Sequence, residues 1–108
     1  IDGGIIGRID DLMIVRGVNL YPSAIENLVR SFSDIDEFSV FVHQKQLLDE
    51  IEVLIEGSDP TAKQLQSAFR ERFGLRAKVI TVATGSLPRY ELKSRRFTDH
   101  RRMNKTNN

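Results

Sequence analysis

Two short segments of the chain carry the residue types best suited to chemistry. In the first, residues 7–26, the acid pair Asp10-Asp11 is followed by a central glycine and a helix start in fixed order. In the second, residues 87–93, Lys93 lies in a loop-like setting after a proline and before further basic residues. A lysine on its flexible stem can stabilise charge that develops on phosphate and carboxylate oxygens. Together the two segments suggest half of an active site.

Each of these residues also has a plainer interpretation. Taken alone, Lys93 would be a solvated lysine of a basic tail. Asp10 and Asp11 could form a paired acid/base site, but neighbouring residues of an extended segment point to opposite sides, which favours a turn or hinge. Arg8 and Arg16 could bind anions, although pairing with the two aspartates is favoured.

Several classes of chemistry are disfavoured by the residue content. The chain contains no cysteine, which removes disulfides, thiolate nucleophiles and cysteine metal sites. It has no Walker or dinucleotide-binding glycine loop. His43 and His100 have no second ligand at metal spacing, so we expect no metal site in this domain. No serine is accompanied by a histidine and an orienting acid, which disfavours nucleophilic catalysis.

Length and composition indicate one small soluble domain. The chain has 108 residues, of which 40% are hydrophobic, and no tract near the ~18–20 apolar residues of a membrane span. We therefore expect a protein without membrane contact, and the absence of cysteine is compatible with a location in the cytoplasm. The opening residues look like a connection from something upstream, so we expect a fragment of a longer protein, in which residues 1–6 are that connection and residues 103–108 a frayed tail.

The charge of the chain is unevenly distributed. The net charge is +1, yet seven of the sixteen Lys and Arg residues lie from Pro88 onward, against two of the fifteen Asp and Glu residues. Such a basic tail could contact phosphates, nucleic acid or an acidic partner surface, and a merely solvated end is the favoured alternative.

The first half of the chain predicts a hairpin and a helix. Residues 12–15 and 18–21 are short apolar runs that predict strands joined by a turn at Gly17. A helix then begins, with Ser23 as its N-cap and Glu26 completing a capping box. Its apolar stripe is formed by Ile25, Leu28, Val29 and Phe32.

The remainder predicts two strands, a second helix and a last strand. Residues 38–42 and 52–56 predict strands joined by a polar loop. Asp59 is predicted to cap the second helix, which ends at Gly74, and residues 78–83 form the last strand. This order of elements predicts an α+β fold: a small antiparallel sheet with an N-terminal hairpin and two helices packed on one face.

The ordered motifs of both segments closely resemble a known family. Three motifs of the first segment resemble the start of the C-terminal domain of adenylate-forming acyl-CoA ligases. They are Gly7-Arg8-Ile9-Asp10-Asp11, Arg16-Gly17-Val18-Asn19 and Pro22-x-x-Ile25-Glu26. This variant looks most like the phenylacetate–CoA ligase branch. That branch's terminal lysine motif is similar to the downstream Gly85-Ser86-Leu87-Pro88-Arg89-x-Glu91-x-Lys93. The resemblance spans residues 7 to about 96.

In that family, a large N-terminal domain holds ATP and the acid, and the small C-terminal domain closes over it in two orientations. The first orientation makes the acyl-adenylate, and the second makes the thioester. The resemblance thus implies the N-terminal adenylation domain of the same chain as partner, with an aryl acid, ATP and coenzyme A as substrates and Mg²⁺ held by the missing domain. We expect the isolated domain to bind none of them and to be inactive.

The resemblance also implies roles for single residues. Lys93 matches the lysine that reaches the acid carboxylate and the α-phosphate during adenylation. Asp10 matches the hinge, and Arg8 matches the arginine that approaches the nucleotide. Gly17 lies in the turn that lines the pantetheine tunnel after rotation, where a missing side chain lets a thiol-bearing ligand pass close to the backbone. Leu92 stands where the family usually has glycine, and a leucine disfavours positive φ.

Two other functions stay open beside the ligase interpretation. The main alternative is a free-standing α+β binding module whose basic tail contacts nucleic acid. It lacks the exposed aromatic platform expected for single-stranded RNA, since Tyr90 is the only aromatic residue well placed in that tail. The other is a purely regulatory domain, which would bind a small molecule without any partner domain.

Overall fold

The computed structural model describes residues 6–101, and the first of its elements form a short hairpin. Strand β1 (Met13–Val15) pairs antiparallel with β2 (Val18–Leu20). The two loop residues, Arg16 and Gly17, both have positive φ, at 51° and 79°. This is the pattern of a type I′ turn, whose twist fits that of the paired strands. The predicted reversal at Gly17 is therefore confirmed.

Helix α1 (Pro22–Arg30) follows the hairpin directly, but it begins differently from the prediction. Its N-cap is Tyr21, whose side chain makes no capping hydrogen bond. The predicted capping box of Ser23 and Glu26 is thus wrong. Ser23 lies in the first turn, and its N–H donates to the carbonyl of Ile9 at 2.8 Å. Proline accounts for the shift, because its fixed φ and missing N–H suit the first helical position.

Helix α2 (Asp59–Phe73) ends where predicted but is capped by a different residue. Its N-cap is Ser58 instead of Asp59, because the Ser58 hydroxyl accepts a hydrogen bond from the Thr61 N–H at 3.3 Å. Asp59 occupies the first turn, where the helix dipole favours a carboxylate. Gly74 ends the helix with φ at 70°, the left-handed conformation of a common C-cap.

A second sheet contains four strands. They are β3 (Phe38–Lys45), β4 (Leu48–Ile55), β5 (Ala77–Thr81) and β6 (Phe97–Asp99). Their order is β5-β4-β3-β6; β3 and β4 are antiparallel, whereas the β4–β5 and β3–β6 pairs are parallel. The α+β class is confirmed, but the sheet is mixed instead of antiparallel. The reason is topological, since α2 carries the chain back along the sheet and so returns β5 parallel to β4.

The structure also contains elements that the sequence did not predict. Lys93–Arg96 form a 3-10 helix, which leads directly into β6. β6 has only 3 residues and follows a basic run, so no local pattern marks it as a strand. In addition, β3 and β4 are longer than predicted, because their loop consists of Gln46 and Leu47 alone, both with positive φ.

One apolar core joins both helices to one face of the four-stranded sheet. Its buried members include Phe38, Val40 and Val42 of β3, Ile51, Val53 and Ile55 of β4, Ile25, Leu28 and Val29 of α1, and Leu65 and Phe69 of α2. Alternate residues of a strand point to the same side of a sheet. The two helices therefore cover one face, as predicted.

Two further predictions concern the two ends of the chain. The predicted frayed tail, residues 103–108, lies outside the described residues, as does most of the predicted connection of residues 1–6. Ile6 is described, and it is buried in the core. Within the described range, no helix is both long enough and apolar enough to span a bilayer.

Candidate functional site

The candidate catalytic lysine, Lys93, is the first residue of the 3-10 helix, and its side chain is exposed. Within residues 6–101, its ammonium group takes part in no hydrogen bond or ion pair. Leu92, directly before it, has φ at −108°. The backbone here therefore does not need the positive φ that a leucine would resist.

A buried carboxylate shapes the loop that leads to Lys93. Glu56 follows β4 directly and is 1% exposed. One of its oxygens accepts hydrogen bonds from the Gly85 N–H at 3.0 Å and from Arg89 Nη2 at 2.9 Å. The other accepts from the Leu87 N–H and from Arg89 Nη1, both at 2.9 Å. A side chain at the end of the sheet thus holds both backbone and side-chain groups of the lysine motif.

The Arg89–Glu56 pair is the main electrostatic feature of this loop. Its two N–H···O bonds have the bidentate geometry that matches a guanidinium to a carboxylate. The pair, assisted by the two backbone donors, outweighs burial and lowers the pKa of Glu56 to about 2. The same hydrogen bonds raise the pKa of Arg89. Both groups therefore stay charged at neutral pH.

A second arginine anchors the far end of the 3-10 helix. Arg96 is buried, and its guanidinium donates to the carboxylate of Glu37 through Nε and Nη2. It lies 5.3 Å from the ring centroid of Phe38 and 5.6 Å from that of Tyr90. The Tyr90 hydroxyl in turn forms a 2.7 Å hydrogen bond with the hydroxyl of Ser39. This segment is thus packed against the start of β3.

Residues 8–11, which contain the candidate hinge, form a turn before β1. The Asp11 N–H donates to the Arg8 carbonyl at 3.1 Å, and the Arg8 N–H donates to the Asp11 carboxylate at 3.1 Å. Asp10 is the third residue of this turn and is exposed. The predicted turn is confirmed, while its use as a hinge stays a prediction.

The chain enters the domain beside the helix that carries the candidate lysine. The Ile6 N–H donates to the carbonyl of Phe97 at 3.3 Å. Phe97 is the residue that directly follows the 3-10 helix. The segment that leads into the candidate hinge and the segment that carries the candidate lysine are therefore neighbours in the fold.

The β1–β2 hairpin, whose loop contains Gly17, is tied to the β3–β4 hairpin by charged side chains. Arg16 donates its N–H to the Asp49 carboxylate and its Nε to the Asp49 carbonyl, each at 3.0 Å. Arg101 donates to the same carboxylate at 2.9 Å and to the Ile14 carbonyl at 2.7 Å. A Cβ added at Gly17 would meet nothing within 4 Å. The outer side of this loop is therefore open.

The predicted pairing of Arg8 and Arg16 with the aspartates of the turn is wrong. Arg16 contacts Asp49 instead, 33 positions along the chain. Partial burial acts to raise the pKa of Asp49. The hydrogen bond from the Arg16 N–H and the contacts with Gln44 and Arg101 act in the opposite direction, so the pKa is lowered overall. Among the described residues, Arg8 contacts Asp11 through its backbone N–H and carbonyl, and its side chain pairs with neither aspartate.

Three of the five Lys and Arg residues described from Pro88 onward are used within the fold. Arg89, Arg96 and Arg101 each form an ion pair with a carboxylate in or beside the four-stranded sheet. The expectation of a merely solvated tail therefore does not hold for these arginines. Lys93, in contrast, keeps its charge exposed.

In the part of the chain that the structure describes, no hydrogen bond or ion pair joins any two of Arg8, Asp10, Gly17 and Lys93. Within the same range, no group of three or more His, Cys, Asp or Glu residues is arranged to hold a metal ion. Sequence reasoning missed Glu56, whose only local signal is an acid at the end of an apolar strand.

Comparison with known proteins places this geometry in a family. Residues 17–101 match the family described as the AMP-binding enzyme C-terminal domain. The chain is 30% identical to the phenylacetate-coenzyme A ligase of Thermus thermophilus, over 93% of this chain and 28% of that protein. It is also 30% identical to the phenylacetate-coenzyme A ligase of Escherichia coli, over 92% and 25%. The chain thus spans about a quarter of the length of these relatives.

Solved structures agree with this assignment. One is 2-hydroxyisobutyryl-CoA ligase in complex with 2-HIB-AMP and CoA in the thioesterification state, with a TM-score of 0.78 and 28% identity, over 94% of this chain and 24% of that one. Another is a domain of phenylacetate-coenzyme A ligase from Bacteroides vulgatus, with a TM-score of 0.74 over 86% and 95% of the two chains; at 22% identity it shows a shared fold alone. The match over residues 17–101, supported by the identity to both ligases, shows that the chain belongs to the family of AMP-binding enzyme C-terminal domains.

Proposed function

We propose that the chain is the mobile C-terminal domain of an AMP-forming CoA ligase that activates an aryl acid of the phenylacetate type. The observation that carries the proposal is the exposed ammonium group of Lys93, which has no partner in the described residues and follows a loop held by buried charges. The acid class is supported by the two phenylacetate-coenzyme A ligases that share 30% identity with the chain.

In the first half-reaction, a carboxylate oxygen of the acid attacks the α-phosphate of ATP, and pyrophosphate leaves. Negative charge gathers on the phosphate oxygens in the transition state, and Lys93 supplies positive charge at that place. Arg8 approaches the nucleotide from the turn ahead of β1. The N-terminal domain of the same protein holds the acid, ATP and the Mg²⁺ that usually accompanies ATP phosphates.

In the second half-reaction, the domain rotates about Asp10, and Lys93 leaves the site. The loop at Gly17 then lines the pantetheine tunnel, where the open space beside its α-carbon leaves room for the thiol-bearing arm of coenzyme A. The thiol loses its proton and its sulfur attacks the acyl carbonyl. AMP leaves with the electron pair of the broken acyl–phosphate bond, and acyl-CoA is the product.

A site divided between two domains accounts for the exposure of the candidate residues and for the absence of polar contacts between them within the described residues. Each of them faces outward in this domain, and each acts only when its surface is turned towards the N-terminal domain. We place the enzyme in the cytoplasm, since a chain without cysteine agrees with a reducing compartment.

Substitution of Lys93 tests the proposal. In the full-length enzyme, Lys93→Ala should slow acyl-adenylate formation by ~10²–10³ and should leave thioester formation from supplied acyl-adenylate at its wild-type rate. Pyrophosphate release measures the first step, and consumption of the CoA thiol measures the second. The matched control is Arg95→Ala, which removes an exposed charge from the same 3-10 helix and should keep both rates. Equal losses in both half-reactions would show that Lys93 is a structural residue.

The nucleic-acid alternative gains no support from the described residues. Tyr90 is hydrogen-bonded to Ser39, and the guanidinium of Arg96 lies over one face of its ring, so this ring is already used within the fold. Arg96 is itself buried. Salt-dependent binding of generic RNA or DNA, weakened by exchange of Arg95, is the result that would favour this alternative.

A further inference from the structure

Two acidic residues meet at one end of the β3–β4 hairpin. Glu37 precedes β3 and Glu56 follows β4, and the last pair between these strands is Phe38 with Ile55. The Glu56 N–H donates to the Glu37 carbonyl at 2.9 Å, which extends the ladder by one step. Both side chains are buried, at 4% and 1% exposure. Buried like charges in neighbouring positions are unfavourable unless each is paired.

Each of the two carboxylates is paired with an arginine of the same downstream segment. Arg89 forms the bidentate pair with Glu56, and Arg96 pairs with Glu37. Lys93 lies between these two arginines in the sequence. The segment that carries the lysine is therefore fastened on both sides of it to the same end of the sheet.

Stability alone does not account for this arrangement. Apolar replacement of a buried ion pair is often neutral or stabilising, so a buried pair is weak evidence of a purely stabilising role. A third buried carboxylate, Glu26, lies in the same cluster. Arg30 pairs with both Glu26, at 3.5 Å, and Glu37, at 3.8 Å. The Oε1 of Glu26 lies 4.0 Å from Arg96 Nη1 and, within the described residues, has no hydrogen-bond partner. Buried charges that hold one loop in a single place suit a function that depends on geometry.

We infer that Glu37 and Glu56 are positioning residues that hold Lys93 in the place that adenylation requires. The inference rests on the proposed function, in which Lys93 acts in the first orientation only. The side chain of lysine is long and flexible, so the region that its ammonium group can reach depends on where its backbone is held. Displacement of a catalytic group by about 1 Å can slow a reaction ~10²-fold. Neither glutamate touches substrate, since each acts through its arginine.

Glu56→Gln tests the inference in the full-length enzyme. Glutamine has the same size but cannot form a charged pair with Arg89. We expect adenylation to slow by ~10-fold or more, with thioester formation from supplied acyl-adenylate unchanged. Arg89→Gln should have the same effect with less risk to folding, because that side chain is 54% exposed. Glu50→Gln, at an exposed acid of β4, is the control and should change neither rate.

A second measurement reports on the loop without catalysis. The Gly85 and Leu87 N–H groups both donate to the Glu56 carboxylate. Their hydrogen exchange should become ~10-fold faster or more in Glu56→Gln and should be unchanged in Lys93→Ala. Wild-type exchange in Glu56→Gln, or equal losses in both half-reactions, would overturn the inference.

The two proposals fail in different ways. If Lys93→Ala spares adenylation, the proposed function is wrong, and so is the catalytic role of the two glutamates. If Lys93→Ala slows adenylation while Glu56→Gln and Arg89→Gln do not, the proposed function stands and the positioning inference is wrong. Both proposals are supported if adenylation is slower in all three variants and if hydrogen exchange of the loop is faster only in the variants that remove the Arg89–Glu56 pair.

Discussion

At the scale of single residues, the positive charges of residues 89–96 have two different uses. Arg89 and Arg96 are paired with buried carboxylates, whereas Lys93 between them is exposed and unpaired within the described residues. Arginine suits the first task because its planar fork meets a carboxylate at two points. Lysine suits the second because its ammonium group is a compact point charge on a flexible stem. The two residue types are therefore not interchangeable in this loop.

Gly17→Ala is predicted to act on both stability and the second half-reaction. A φ of 79° costs a non-glycine residue about 1–2 kcal/mol, so the free energy of unfolding should fall by that amount. Thioester formation should also slow, because the new methyl group enters the proposed path of the pantetheine arm, while adenylation keeps its rate. Chemical denaturation and the two half-reaction assays measure these effects.

Gly74→Ala is the matched control for this exchange. Its φ is 70°, and an added Cβ would again meet nothing within 4 Å. It should lower the free energy of unfolding by a similar amount and leave both half-reactions unchanged. If both exchanges slowed thioester formation equally, backbone strain and not the tunnel would be the cause.

At the scale of elements, the backbone of the 8–11 turn is hydrogen-bonded on either side of Asp10 but not at the Asp10 N–H. The Ile9 carbonyl accepts a hydrogen bond from the Ser23 N–H at 2.8 Å, and the Asp11 N–H is used to close the turn. The Asp10 N–H makes no hydrogen bond among the described residues. A hinge needs such a position, where the backbone dihedral angles can change without breaking a ladder.

Asp10→Pro is predicted to trap one orientation of the domain. Proline fixes φ near −65° and pushes the preceding Ile9 towards extended backbone. In the full-length enzyme, one half-reaction should survive and the other should fall steeply; the survivor depends on the φ that Asp10 adopts in each orientation. Melting of the 108-residue chain should shift by only a few degrees, since Asp10 precedes β1 and its N–H makes no hydrogen bond among the described residues.

The control for the hinge is Asp10→Ala, which removes the carboxylate without restricting φ and therefore should not trap an orientation. Wild-type rates of both half-reactions in Asp10→Pro would mean that rotation does not occur at this residue. A large drop in melting temperature would point to a structural role for the turn.

The Glu56 pair predicts a loss of stability in acid. The pKa of Glu56 is lowered from its ordinary 4.5 to about 2 in the folded chain, so its contribution is fully present above pH 4.5 and is lost as the pH falls towards about 2. Urea unfolding across this range should show a steeper fall for the wild type than for Glu56→Gln. Because the pKa of Asp49 is also lowered, only the difference between the two proteins reports on Glu56. Parallel curves would contradict the prediction.

At the scale of the whole molecule, the chain has the core of an independent unit, and in the proposed function a second domain completes its site. Its Cα radius of gyration is 13.4 Å, in agreement with the ~13 Å of a compact domain of about 100 residues. Both helices and the four-stranded sheet share one core. The candidate site residues, in contrast, are exposed on its surface.

We therefore predict that the isolated 108-residue chain folds but is inactive. Its urea unfolding should be a single cooperative transition. It should neither bind ATP tightly nor release pyrophosphate from acid and ATP, because its site groups converge only against the N-terminal domain. The full-length enzyme, assayed in parallel, is the positive control. Robust pyrophosphate release by the isolated chain would sink the prediction.

Local signals in the sequence were sufficient for the hairpin at Gly17, the buried Ile25, Leu28 and Val29 of α1 and the end of α2 at Gly74, whereas Phe32 of the predicted stripe lies after α1 ends. Each of these depends on a few neighbouring residues, through the backbone freedom of glycine or the 3.6-residue period of a helix. The motifs around Asp10 and Lys93 are also contiguous, so both residues could be singled out from the sequence. The sequence by itself thus determined which residues are candidates for chemistry.

Only the tertiary structure decided how the sheet is paired and what holds Lys93. Glu56 meets Arg89 across 33 residues of sequence, and Glu37 meets Arg96 across 59. β6 likewise becomes a strand only through its parallel pairing with β3. No local pattern separates a glutamate that will be buried against such a partner from one that stays in water. Burial and charge pairing are properties of the packed chain. They depend on which distant residues exclude water from the charged group and which of them provide hydrogen bonds in place of that water.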